Sequence, residues 1–322
     1  MSNKDFNTWK FIAEKLSRGL YCYLMVIVES NGSSPGRKGF KMAVGQDNEL
    51  AGSVGGGSME HRLVEECKIL LQQPEKPIFL RKEIHHDNSA SPSGMICSGN
   101  QTIAFFPLMV QHSELVQNIL SAIENKEPCN LIYHQEGILL QDQPTEYQHK
   151  RPMSSTDEKW VFTEIPGYRY HVFIVGGGHV GLALSQILLI LGFQITVFDE
   201  REQVNTFEDN VFAHEKKRIN YDEVGQHIPE GSNNMVVIMT QFHTSDSVVL
   251  KQLVGKKLGY LGMMGSKAKV KTIFRQLENE GISHELLQRV HSPIGIEILS
   301  QTPEEIAISI AAELIAVKNS VA

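Results

Sequence analysis

The sequence predicts an α/β fold in two parts: a mixed α/β N-terminal domain, then a doubly wound domain on a parallel sheet. Three observations carry this. Residues 171–201 read as strand, glycine turn, helix and strand, with Gly176, Gly178 and Gly181 in GxGxxG register and Asp199 the expected ~20 residues beyond, a Rossmann-like unit. After it, apolar strand-like runs keep alternating with helix-like stretches. The length, 322 residues, suits two domains of roughly 100–200 residues each.

In chain order, Phe6, Trp9, Ala13 and Leu16 share one helical face, which predicts a helix over residues 5–18 stopped by Gly19. The unbroken apolar run Leu20 to Val28 predicts a buried strand leading into the turn residues Ser30 to Gly36. Short strands follow at 40–44 and 50–54, then three glycines and a helix over 58–72. Strands are expected at 78–84, 101–107 and 129–134, with a helix near 113–124. Residues 141–158 are the least hydrophobic stretch and read as a linker before a last strand at 160–165, placing the boundary near Gly167 and the domains at 1–167 and 168–322. In the second domain, strands are expected at 235–239 and 258–261, and helices at 246–254 and 266–279. The final helix opens with Thr302 at N-cap, Pro303 at N1 and Glu305 at N3.

Composition narrows the function. A 41% hydrophobic, 21% charged chain is an ordinary globular protein, and a net charge of −7 argues against nucleic acid as a partner. The four cysteines form no CxxC pair, so zinc-ribbon and disulfide frameworks have little support. The polar N-terminus lacks a signal-peptide core, and no run reaches the ~18 apolar residues of a membrane helix. The expectation is a cytoplasmic protein with no membrane partner.

Several segments have residue types suited to holding an anion. In the second domain, Gly176 permits the tight turn, Gly178 the approach of a ligand and Gly181 close helix packing, while the helix end at His179 presents N–H groups and a positive dipole. Asp199 can accept from a ribose hydroxyl or another polar ligand group. His243 after one strand, and Gly265, Ser266 and Lys267 after the next, should border the same carboxyl edge. His243 and Lys267 taken singly read equally well as solvated loop and helix-start residues. In the first domain, Ser34 and Arg37 sit in one turn, and Gly55, Gly56, Gly57, Ser58 and Glu60 precede or open a helix, which suggests a second anion cradle to which Lys41 adds charge. The alternatives there are a glycine hairpin with a helix cap, and Glu60 as a favourable acid in a first turn. Cys97, in the turn Ser93 to Gly99, is either a small buried hydrophobe or a reactive thiol and soft metal ligand. His85, His86 and Asp87 read as a polar loop rather than a metal cluster.

The ordered motifs GSSPGRKGFKM (32–42), GSVGGGSMEHRLVEE (52–66), GMICSG (94–99), the 171–201 unit, MTQFHTSD, YLGMMGSKAK and SPIGIEILSQTPEEIAISIAAELIA span nearly the whole chain. Together they resemble the XdhC/CoxI family of xanthine dehydrogenase accessory factors. The resemblance implies a dimeric, chaperone-like factor that binds molybdenum cofactor (molybdopterin) and helps insert its sulfurated form into a molybdenum hydroxylase apo-enzyme, with a cysteine desulfurase as a further partner. It also implies a cofactor-handling protein rather than a catalyst, and no catalytic residue is assigned. Three positions depart from the family pattern: Ser58 stands where cysteine is frequent, Ser98 where glycine is, and Gln241 where histidine is. Ser58 is a much weaker soft ligand than cysteine, leaving Cys97 as the thiol at the metal. The competing reading is an NAD(P)- or flavin-dependent oxidoreductase with His243 as acid/base, and a third is a nucleotide sensor or scaffold.

Overall fold

The computed structural model describes residues 4–73, 75–85, 99–125, 129–142, 159–167 and 170–320. It divides into two compact units, Asn3–Gly167 and Tyr168–Ala322.

The first unit contains α1 (Lys4–Ser17), β1 (Cys22–Gly32), β2 (Lys41–Gly45), β3 (Leu50–Gly52), α2 (Gly57–Gln72), β4 (Phe79–His85), β5 (Gly99–Leu108), α3 (Ser113–Asn125), β6 (Cys129–His134), β7 (Gly137–Asp142) and β8 (Val161–Glu164). Its main sheet is antiparallel, in the order β3-β2-β1-β5-β4, and a second antiparallel sheet runs β7-β6-β8. The apolar run of β1 is explained by burial on both faces. Leu24, Val26 and Val28 enter a core with Trp9, Ile12, Ile119 and Tyr133, whereas Tyr23, Met25 and Ile27 enter another with Leu63, Cys67 and Phe105. A strand covered on both sides has no polar alternation to show. The hairpin strand β7 lies beyond the expected elements; it pairs with β6 across the turn at Gln135 and Glu136.

The second unit contains β9 (His171–Val175), α4 (His179–Ile190), β10 (Gln194–Asp199), α5 (Asn205–Glu208), β11 (Glu215–Arg218), α6 (Val224–His227), β12 (Gly231–Ile238), α7 (His243–Leu253), β13 (Leu258–Met263), α8 (Lys267–Asn279), α9 (His284–Gln288) and α10 (Pro303–Ser320). Its sheet is wholly parallel, in the order β11-β10-β9-β12-β13. Alternate residues of β9 feed opposite cores: Val172 and Ile174 meet Leu184, Leu188, Ile310 and Leu314, while Phe173 and Val175 lie in the cluster of Val249, Leu250 and Ile273. Helices on both faces make the unit doubly wound and Rossmann-like. Strand β11, the charged run Glu215–Arg218, carries no apolar pattern and is held by its parallel register with β10.

The start of α10 forms the expected capping box. Glu305 Oε2 accepts from the Gln301 and Thr302 N–H groups at 2.6 and 3.2 Å, and Thr302 Oγ1 accepts from Glu305 N–H at 3.3 Å.

Candidate functional site

The parallel sheet delivers four loops to one carboxyl edge, and neighbouring loops are tied to one another. Gly176, at φ 116°, packs so tightly that an added Cβ would lie 2.3 Å from the Met239 carbonyl oxygen. At Gly181 a Cβ would meet the Gly176 oxygen at 2.5 Å, so the first turn of α4 lies directly on the glycine turn. Around Gly178, by contrast, a Cβ would meet nothing within 4 Å. That open side faces a cleft of about 340 Å³ lined by Gly178, His179, Arg201, Gln203, Val204, Asn205 and Thr206. The three glycines thus divide as a tight turn, an open side and close packing.

Asp199 corrects the expectation of an open acceptor. It is fully buried, and its carboxylate accepts four hydrogen bonds: Gly177 N–H (2.7 Å) and Arg201 Nη2 (2.7 Å) on Oδ2, Arg201 N–H (3.0 Å) and Nε (2.9 Å) on Oδ1. Burial raises the carboxyl's proton affinity, but the Arg201 and backbone hydrogen bonds outweigh it and hold Asp199 below the usual carboxylate range. Arg201, to which the sequence reading gave no role, is half-buried, lines the cleft and reaches Gln241 Oε1 at 3.3 Å through Nη1. The Asp-x-Arg spacing was the signal that could have found it.

The other two loops follow in series. His243 is exposed at the first residue of α7. Behind it, Asp246 is buried, accepts from Thr240 N–H at 3.0 Å and pairs with Lys269 Nζ at 2.5 Å. Ser266 caps α8 by accepting from Lys269 N–H at 3.2 Å, and Lys267 is exposed beside it. Lys267 lines a different, 420 Å³ groove with Lys271, Phe274 and Arg275, not the cleft at Gly178. His243, Gly265, Ser266 and Lys267 therefore share the sheet edge without lining the cleft of His179 and Arg201.

The first unit brings its own motifs together, around a residue that sequence reasoning missed. Gln101, buried on β5, accepts from Ser34 Oγ at 2.6 Å and Gly36 N–H at 3.2 Å, and donates to the Val54 carbonyl at 3.2 Å. A single amide thus joins the turn holding Ser34 and Arg37 to the turn holding Gly55. Nothing in a Gln between Asn100 and Thr102, at the polar start of a strand, marks such a role.

The proposed cradle there is corrected. Glu60 turns back from α2, and its Oε2 accepts from Ser53 Oγ (2.7 Å), Val54 N–H (2.7 Å) and Gly56 N–H (3.0 Å), so the turn already holds an internal carboxylate. Gly57 and Ser58, the first two residues of α2, are exposed. Arg37 is exposed and donates to the Gly32 carbonyl at 3.2 Å. Lys41 adds no charge to this turn. It is buried between Glu164 (2.7 Å) and Asp5 (3.1 Å), and Tyr133 donates to the same Glu164 oxygen at 2.7 Å. Burial works against the Lys41 charge, but the two acids prevail and raise its pKa; burial pushes Glu164 up as well.

Cys97, Ser98, His86 and Asp87 lie outside the described residues. Among the described residues, no group of three or more His, Cys, Asp or Glu side chains forms a metal cluster. Burial pushes the Cys22 and Cys67 thiols up to about 12, which suits packing residues rather than thiolates. No described helix is long and apolar enough to cross a membrane.

Two family models match the chain in order: one for the XdhC and CoxI family over residues 16–81, one for the XdhC Rossmann domain over residues 172–314. Among relatives, the uncharacterized protein YqeB of Escherichia coli (strain K12) is 27% identical over 298 residues, 91% of this chain and 43% of that one. A probable xanthine dehydrogenase subunit from Bacillus subtilis (strain 168) is 25% identical over 47% of this chain and 44% of its own. The chain therefore spans less than half the length of both. PaoD of Escherichia coli (strain K12), a molybdenum cofactor insertion chaperone, is 21% identical over 96% of this chain and 87% of its own. A crystal structure of a xanthine dehydrogenase from Bacillus halodurans matches with a TM-score of 0.73 at 22% identity, over 98% of this chain and 96% of that one; the likeness is one of fold. The chain belongs to the XdhC/CoxI family.

Proposed function

We propose, with family membership as the premise, that this chain is a maturation factor that binds molybdenum cofactor and assists its sulfuration and insertion into a molybdenum hydroxylase. The observation that supports it best is the cleft at the start of α4, where an open glycine, a helix N-terminus and Arg201 meet and no acid lines the wall. Such a surface suits the phosphate end of a pterin cargo. Gly178, His179, Arg201, Asn205 and Thr206 are the residues that would hold it. Cys97 is the residue proposed to reach the metal end.

On this reading the partners are a molybdenum hydroxylase apo-enzyme and a cysteine desulfurase, the working form is a homodimer, and the setting is the cytoplasm. The two domains are proposed at 1–167 and 168–322. A nicotinamide or flavin enzyme remains the competing reading, with exposed His243 as its acid/base.

The test is co-expression with the cofactor pathway, then assay of the purified protein for pterin fluorescence after oxidation and of a partner hydroxylase for activity. Stoichiometric pterin and enhanced hydroxylase maturation are expected. Background pterin together with unchanged maturation would sink the reading.

A further inference from the structure

We infer that Arg201 sets the ligand class of the cleft: by filling, together with the Gly177 N–H, the acceptor positions of Asp199, it turns a ribose-diol site into a receptor for a phosphate monoester. The inference deepens the proposed function, in that it rests on the same cleft being the ligand site.

A carboxylate at the end of the second strand ordinarily selects an unmodified ribose by accepting from its hydroxyls. A carboxylate has about four lone-pair positions. At Asp199 four donors already fill them, three from Arg201 and one from Gly177, and the side chain has no exposed surface. A diol would have to displace a bidentate, charge-assisted pair to bind there. What the cleft presents instead is the guanidinium, whose side chain is 33% exposed. Its outermost tie, Nη1 to Gln241 Oε1 at 3.3 Å, is the longest of its bonds and ends on an exposed amide. A dianionic phosphate can therefore take Nη1 from Gln241 while Nε and Nη2 stay on Asp199. His179, Gln203, Asn205 and Thr206 complete a wall without a carboxylate to repel it.

The shared chemistry is a phosphate monoester, whether on a pterin or on a nucleotide, and two probes separate these sources. Calorimetric titration of the full chain with adenosine 2′-monophosphate and adenosine reads the phosphate preference, and molybdopterin released from a hydroxylase reads the pterin. Wild type is expected to favour the phosphorylated nucleoside by about tenfold or more, the worth of one charge-assisted bond. Arg201→Ala should lose that preference and gain adenosine affinity as Asp199 opens, and Arg201→Lys should keep part of it. A gain in diol affinity is not what a merely destabilised fold would give, and far-ultraviolet circular dichroism checks the fold. Equal affinities in wild type, or a ratio unmoved by Arg201→Ala in a folded variant, would overturn the inference even if pterin binds. A phosphate preference lost in Arg201→Ala, with no pterin bound by wild type, would uphold it while the cofactor reading fails.

Discussion

The glycine turns ahead of α2 and α4 look alike in sequence, and each has an acid close to it, yet they end in opposite states. In the first unit Glu60 turns back and takes the N–H groups of Val54 and Gly56. In the second, Asp199 takes only Gly177 N–H and spends its remaining capacity on Arg201, so the side of Gly178 stays open. The cations differ in the same way. Lys41 is sealed between two acids, whereas Arg201 remains a third exposed beside a cleft. A run of glycines before a helix therefore announces a set of backbone donors, and the disposition of the nearest carboxylate decides whether a ligand can use them.

The sharpest way to break this contrast is to remove the cations. Lys41→Met leaves Asp5 and Glu164 without their counter-charge inside the first unit, and should cost about 3–5 kcal/mol in denaturant unfolding. A loss below about 1 kcal/mol, the level of a surface pair, would show Lys41 to be less sealed than described. Next come the glycines. Gly176→Ala forces a Cβ against the Met239 carbonyl at a φ of 116° and should cost on the order of 3 kcal/mol. Gly178→Ala, with open space around it, should stay within about 1 kcal/mol and weaken ligand binding instead. Glu60→Ala should cost about 1–3 kcal/mol by orphaning its three donors. Added phosphate should then raise the Tm of that variant more than that of wild type, since the vacated turn becomes an anion site.

The smallest effect is one of pH. Because the folded-state pKa of Asp199 is depressed, its contribution is present above its ordinary value of about 3.9 and is lost as pH falls from there through the folded value. Stability curves of wild type and Asp199→Asn should therefore converge on acidification below about pH 4. Parallel curves would mean that the Arg201 pair contributes nothing.

The sequence made the elements with strong local signals legible. The capping box at Thr302 and Glu305, the doubly buried run of β1 and the close packing at Gly176 and Gly181 all follow from residue type and spacing. What escaped depends on partners distant in sequence. β11 is a strand only because β10 lies beside it. Gln101 matters because two loops some fifty and sixty-five residues away converge on its amide. Lys41 looked like a ligand cation because Glu164 enters only with the last strand of that unit. In each case spacing identifies the group and tertiary contact decides what it serves.

The position of α10 has a consequence for synthesis. Its residues Ala307, Ile310, Ala311 and Leu314 complete the core that β9 and α4 begin, and Glu313 accepts from Tyr260 of β13 and from Gly295 N–H on the way. At ~5–20 residues per second, translation reaches this helix on the order of ten seconds after β9 has left the ribosome. During that interval one face of the parallel sheet is covered by α4 alone and lacks the share that α10 supplies. A second unit cut short between β13 and α10 is therefore expected to aggregate more readily than the whole unit, because the apolar side chains that α10 covers stay exposed.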